Sequence, residues 1–131
     1  MVTDVSVISR FYQAVADKDL AAAEACFAPG ARWHLPGTSP IAGDHLGWQQ
    51  IRDDFLARLG PMSEGTFRAD LLDIAVGEKY VVAVQHATAH ARGRTLDITG
   101  CQLISLDDRG LIAEVRGHYS DQSALDAFWL G

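Results

Sequence analysis

The sequence predicts an α+β domain in which helices pack on one face of a curved antiparallel sheet. Two observations predict it. The apolar residues of the first half recur at helical spacing, whereas the second half alternates with a period of two. The strand-like runs of that second half are also separated by short turn sequences, "GEK", "RGR" and "DDRG". Helices first and strands later mark α+β architecture and not alternating βαβ units. At 131 residues the chain fits one domain, 1–131, with no repeat, linker or low-complexity tract.

The first helix is expected around Ile8, Phe11, Tyr12 and Val15, and a second around Leu20, Ala23 and Phe27. "DKD" at 17–19 separates them, Asp19 offers an N-cap oxygen, and "APG" stops the second helix. "ARWHL" at 31–35 reads as a short strand ending before Pro36. The loop "PGTSPIAGDHLG" follows, then an amphipathic helix "WQQIRDDFLARLG" with Trp48, Ile51, Phe55 and Leu59 on one stripe and Gly60 past its end. Four strands come next, "FRADLLDIAVG", "KYVVAVQHATAHARG", "RTLDITGCQLISL" and "GLIAEVRGHYS", the last three forming a meander. "DQSALDAFWL" closes the chain as a short helix.

Composition narrows the function. A net charge of −6 and a pI near 5.1 lack the basic footprint that nucleic acid or an anionic membrane surface requires. No apolar run approaches a membrane span, and "MVTDVSVISRFYQ" lacks a secretory pattern. Cys26 and Cys101, two distant thiols in a domain with a good core, read as small buried hydrophobes, so the expected compartment is the cytoplasm. No phosphate loop, dinucleotide fingerprint or paired CxxC occurs. In "HATAH" the two histidines, His86 and His90, stand roughly 13 Å apart along a strand, too far to share a metal ion. Neither a metal nor another cofactor is expected.

The functional signal lies in "ITGCQLISL". Strand periodicity groups Gln102 with Ile98, Gly100, Ile104 and Leu106 on an apolar face. With a turn centred near Gly93, Gln85 faces Gln102 and His90 faces Asp97. A second turn near Asp107–Gly110 sets Gln102 by Val115 and Ile98 by Tyr119. The same face then carries Ala87, Ala89, Gly117 and Tyr119, with Asp121 at its rim, and its small residues leave space for a concavity. Either Gln85 and Gln102 pair with each other, or they orient a mostly apolar guest. The opposite face, with His86, Thr88, His90, Asp97, Glu114, Arg116 and His118, is expected to be polar.

Other candidates follow from chemistry. His45 sits among glycines in "GDHLGW" and has a pKa class suited to proton transfer. Asp121 in "SDQS" is a candidate base and also an N-cap. Tyr119 would donate to a substrate carbonyl or serve as a core aromatic. Trp33 and Trp48 are candidate cavity walls or plain core.

"FYQAVADKDLAAAEACFAPGARWHLPGTSPIAGDHLGWQQIRDDFLARLG", followed by "GRTLDITGCQLISLDDRGLIAEVRGHYSDQSALDAFW", resembles a SnoaL-like protein of the NTF2-like superfamily over nearly the whole chain. The resemblance implies an NTF2-like cone, a curved antiparallel sheet wrapped around N-terminal helices, with a deep pocket and often a homodimer through the outer sheet face. Members include polyketide cyclases, steroid isomerases, dehydratases and epoxide hydrolases, besides binding proteins. The steroid isomerases carry a tyrosine, a base aspartate and a protonated aspartic acid where this chain has Phe11, Leu35 and Gln102, so their mechanism is not expected.

Three functions are therefore carried forward. The first is a cofactor-independent acid/base enzyme (cyclase, isomerase, dehydratase or epoxide hydrolase type) on a largely apolar, oxygenated or polyketide-like molecule. In it Tyr119 and Gln102 hold the oxygen, Asp121 or His45 moves the proton, and Gln85, Trp33 and Trp48 contact the ligand. The second is a non-catalytic ligand-binding protein. The third is a dimerising protein-interaction domain working through the outer sheet face.

Overall fold

A computed structural model describes residues 4–130. Helix α1 (Ser6–Ala16) buries Val7, Ile8, Phe11, Tyr12 and Ala14, the stripe expected from helical spacing. It ends where Lys18 adopts a positive φ of 56°, and the Asp19 carboxylate then caps α2 (Leu20–Glu24) by accepting the Ala22 N–H at 3.0 Å.

Six strands form one sheet in the order β2-β1-β6-β5-β4-β3. They are β1 (Phe27–Leu35), β2 (Gly43–Leu46), β3 (Arg68–Val76), β4 (Val81–Ala91), β5 (Arg94–Leu106) and β6 (Ile112–Tyr119). All pairings are antiparallel except β1 with β6, which run parallel. Between β2 and β3 a helix over 48–62 crosses the sheet, and Gln122–Leu130 form a terminal helix. Among the described residues no helix is long and apolar enough to cross a membrane.

Four expectations need correction. The strand read at 31–35 begins at Phe27, because a register shift between Phe27 and Arg32 absorbs "APG" into β1. The loop after Pro36 contains β2, which carries little β propensity and is held as an edge strand by pairing His45 with Trp33. The crossing helix does not stop before Gly60. It runs on through Pro61 to Met62, and its middle, Ile51–Leu56, is wound as a π-helix. The meander is also registered differently: Gln85 pairs with Gly100, Ala83 with Gln102, and Thr88 with Asp97, while Gln102 meets Gly117 and Gly100 meets Tyr119.

The cause of the last correction is the β4–β5 turn. Arg92 (φ 54°) and Gly93 (φ 73°) are its two central residues, both left-handed as a type I′ hairpin requires. The turn therefore centres between 92 and 93. Moving the centre by one residue moves every partner by two, and a shift of two keeps side chains on the same face. The inner face survives as expected. Gln85, Ala87, Ala89, Gly100, Gln102, Val115 and Gly117 are all buried, whereas His90, Asp97, Arg116 and His118 are exposed.

The same turn locks the helices to the sheet. Arg92 donates to the Met62 carbonyl at the end of the crossing helix and, at 2.9 Å, to the Phe128 carbonyl of the terminal helix; Arg94 reaches the Ala127 carbonyl at 2.7 Å. Guanidinium groups at helix C-termini satisfy carbonyls that have no intrahelical partner and complement the dipole. The core lies between the inner face and the helices. Trp33 is its hub, with ring centroids 5.6 Å from Phe11 and 5.0 Å from Phe55.

Candidate functional site

Helix α1, the crossing helix and the terminal helix do not fill the space over the sheet completely. A hollow of about 50 Å³ remains. Its walls are Phe11, Tyr12 and Val15 from α1, Trp33 and Leu35 from β1, and Phe55, Leu56 and Leu59 from the crossing helix, with Leu125 and Trp129 from the terminal helix. Its floor is the sheet, where Gln85, Ala87, Gln102 and Tyr119 meet it. Consecutive Phe55 and Leu56 both face it, at the end of the π-wound segment; such windings recur at functional sites.

The polar end is built from two pairs. Tyr12 donates its hydroxyl proton to Gln85 Oε1. Gln102 Nε2 donates to the Tyr119 hydroxyl at 3.1 Å. Gln85 and Gln102 therefore do not bond each other; each takes a tyrosine. Tyr119 crosses the sheet over two glycines, and this explains both. A Cβ at Gly100 would lie 2.8 Å from Tyr119 Cδ1, and one at Gly117 would lie 3.0 Å from Cε2. The small residues there make room for the Tyr119 ring, not for an empty concavity.

Two buried polar atoms bordering the hollow have no partner, Gln102 Oε1 and Trp33 Nε1. Gln102 is 2% exposed and Trp33 4%. Burial pushes the pKa of both Tyr12 and Tyr119 up, with the Gln102 hydrogen bond pulling Tyr119 partly back. Both phenols stay neutral at ordinary pH. None of the residues lining the hollow is Asp, Glu, His, Lys or Arg. Its polarity comes from amides, phenols and an indole.

Of the residues singled out from sequence, Gln85, Gln102, Tyr119 and Trp33 come together here. Trp48 does not border the hollow; its ring packs against Phe27 at 5.4 Å, and its Nε1 is likewise buried without a partner. His45 lies behind the wall. Its ring stacks on Phe55 at 5.7 Å, and its Nε2 bonds the Ile41 carbonyl at 2.8 Å. Asp121 is exposed, and its carboxylate accepts the Ala124 N–H at 3.0 Å as the cap of the terminal helix. Neither joins the polar end. Tyr12 was missed as a site residue. Its helical stripe marks it as core, and the one available signal was that a buried phenol needs a hydrogen-bond partner.

The outer face is different in kind. His34 sits between Asp44 (2.6 Å) and Glu114 (2.7 Å), and His86 bonds Asp97 at 2.6 Å. Among the described residues no group of three or more His, Cys, Asp or Glu is placed to hold a metal ion.

A model of the SnoaL-like domain matches residues 8–115. This chain belongs to the SnoaL-like domain family. Known relatives agree: an uncharacterized protein of Mycobacterium tuberculosis is 30% identical over 130 residues, covering 96% of this chain and 95% of its own. The structure of Bal32a, from a soil-derived mobile gene cassette, superposes with a TM-score of 0.89 at 33% identity, over 95% of this chain and 94% of that one. A Burkholderia thailandensis protein described as NTF2-like has a TM-score of 0.83 at 21% identity, over 99% and 98% of the two chains, and so shares the fold. The SnoaL-like chain thus carries the NTF2-like architecture, with a neutral polar end set in an apolar hollow.

Proposed function

We propose that this SnoaL-like chain binds a neutral, largely apolar small molecule with one oxygenated end, and that Tyr119 and Gln102 hold that oxygen. The observation that carries the reading is the inventory of protons at the polar end. The Tyr119 oxygen accepts from Gln102 Nε2, so its own proton is free to donate, while Gln102 Oε1 lacks a donor. An unpaired buried polar atom costs about 1–3 kcal/mol. A guest hydroxyl or enol that donates to Gln102 Oε1 and accepts from Tyr119 satisfies both groups. The uncharged lining favours an uncharged guest, because burying an unpaired ion is far more costly than burying a dipole.

A catalytic reading is favoured by one feature. Tyr119 is a neutral acid whose oxygen is already polarised by an amide, an arrangement that stabilises charge growing on a substrate oxygen. Isomerisation or ring closure of a carbonyl compound by hydrogen-bond polarisation suits it. Asp121 and His45 take no part in this version, since neither faces the hollow.

The test is displacement of a bound neutral dye, Nile red, by 2-hexanone and by hexanoate. The ketone is expected to compete and the carboxylate to fail, and Tyr119→Phe is expected to weaken the ketone about tenfold, the equivalent of one hydrogen bond of about 1.4 kcal/mol. Equal competition by both compounds, or an unchanged ketone in Tyr119→Phe, overturns the reading.

A further inference from the structure

The hollow is smaller than the guest just proposed needs. About 50 Å³ holds roughly three to five waters by volume, enough for an oxygenated head group and little more. A second void of about 250 Å³ lies next to it, between the end of α1, the start of α2 and the far half of the crossing helix. The two share four lining residues, Val15, Leu56, Leu59 and Phe67, all apolar. These side chains form a partition one residue thick. Beyond it the outer void is lined by Leu20, Ala57, Gly60 and Pro61 among others, and its charged residues, Lys18 and Asp19, are ones the cavity lacks. The Asp19 carboxylate is occupied as the α2 cap.

We propose that the two voids are one elongated binding site. The oxygenated head sits against Tyr119 and Gln102, and a flexible aliphatic tail passes between Val15, Leu56, Leu59 and Phe67 into the outer void. The inference rests on the head-group reading above and adds the shape of the ligand: an unbranched alkyl ketone, aldehyde or alcohol and not a compact ring. The partition explains the chemistry demanded of the middle of the molecule. Four apolar side chains surround it and offer no hydrogen bond, so any polar group at that depth would be stripped of water without replacement. Apolar methylenes gain there instead, each by its transfer from water. The partition is also placed to move. Leu56 ends the π-wound segment, and Phe67 stands just before β3, outside any helix or strand.

The experiment is a homologous series of 2-alkanones, from butanone to dodecanone, titrated by Nile red displacement against wild type and Ala57→Trp. Ala57 is an exposed helical position on the wall of the outer void, so a tryptophan there occupies the void without disturbing the core. Ala57→Phe serves as a second obstruction, with thermal melting to confirm folding. In wild type the affinity is expected to rise about threefold or more per methylene well past hexanone. In both variants the ratio of decanone to butanone affinity is expected to fall at least tenfold. A wild-type plateau at butanone or pentanone, or an unaltered ratio in both variants, overturns the elongated site while leaving the head-group reading in place. If no ketone of any length binds, the head-group reading fails and this inference falls with it.

Discussion

Gln85 and His86 are chain neighbours on β4, and the pleat sends them to opposite sides of one sheet. Gln85 is 5% exposed and accepts the proton of Tyr12. The His86 side chain is 37% exposed and grips Asp97. The contrast repeats along the sheet, with Gln102 inside against Glu114 and Arg116 outside. Inside, hydrogen bonds join neutral groups and two polar atoms stay unpaired; outside, imidazoles meet carboxylates and water screens what remains. The lesson concerns dielectric. The same alternation that separates core from surface also separates groups that stay neutral from groups that titrate, so this protein keeps ionisation away from its hollow.

The strongest way to break that separation is to put a charge inside. Gln102→Glu is expected to cost about 3–5 kcal/mol at pH 8, as an uncompensated buried ion does, measured by urea unfolding. Burial raises the folded pKa of such a carboxyl, so the neutral form is favoured; the loss should shrink at pH 5 and grow as pH climbs through the raised value. A variant as stable as wild type at pH 8 would show that water reaches the inner face.

A gentler change removes one partner and keeps neutrality. Tyr12→Phe strands Gln85 Oε1 and is expected to cost about 1–3 kcal/mol, with Tyr12→Phe/Gln85→Leu recovering part of it. Additive losses in the double variant would mean that the two groups are not coupled.

The outer face should respond least in stability and most visibly in titration. His34 lowers the pKa of both Asp44 and Glu114, chiefly through its hydrogen bonds. Their depressed values mean that the stability they add is present above the ordinary carboxylate range near 4 and is lost as pH falls through the folded values. His34→Gln is expected to return both carboxylates toward ordinary values in a carbon-13 NMR titration and to flatten the acid side of the stability curve. Unmoved carboxylates in that variant would sever the link between His34 and the pair.

Which parts were legible follows from how the signals are encoded. The inner face could be read because strand parity tolerates an error of two, so a misplaced turn centre still assigned Gln102 and Tyr119 correctly to the inside. The partner of each glutamine could not, because partner choice needs the register itself, and Arg92 with a positive φ is not a turn residue that composition singles out. His45 looked like a loop base because "GDHL" has no strand pattern; its pairing with Trp33 is decided by β1 and not by its own residues. Tyr12 was plain as a buried residue and silent as a hydrogen-bond donor, since the helix stripe fixes where a ring points but not what its hydroxyl meets 73 residues away.

The clasp made by Arg92 and Arg94 has a consequence for how the molecule is built. The last wall of the hollow, Leu125 and Trp129, belongs to a helix whose final carbonyls are gripped from the hairpin tip. That grip has no anchor until β4 and β5 have paired and nothing to hold until residues 122–130 exist. The receptacle is therefore finished after the sheet that floors it, and clipping the final turn would leave a folded sheet with an open-ended socket.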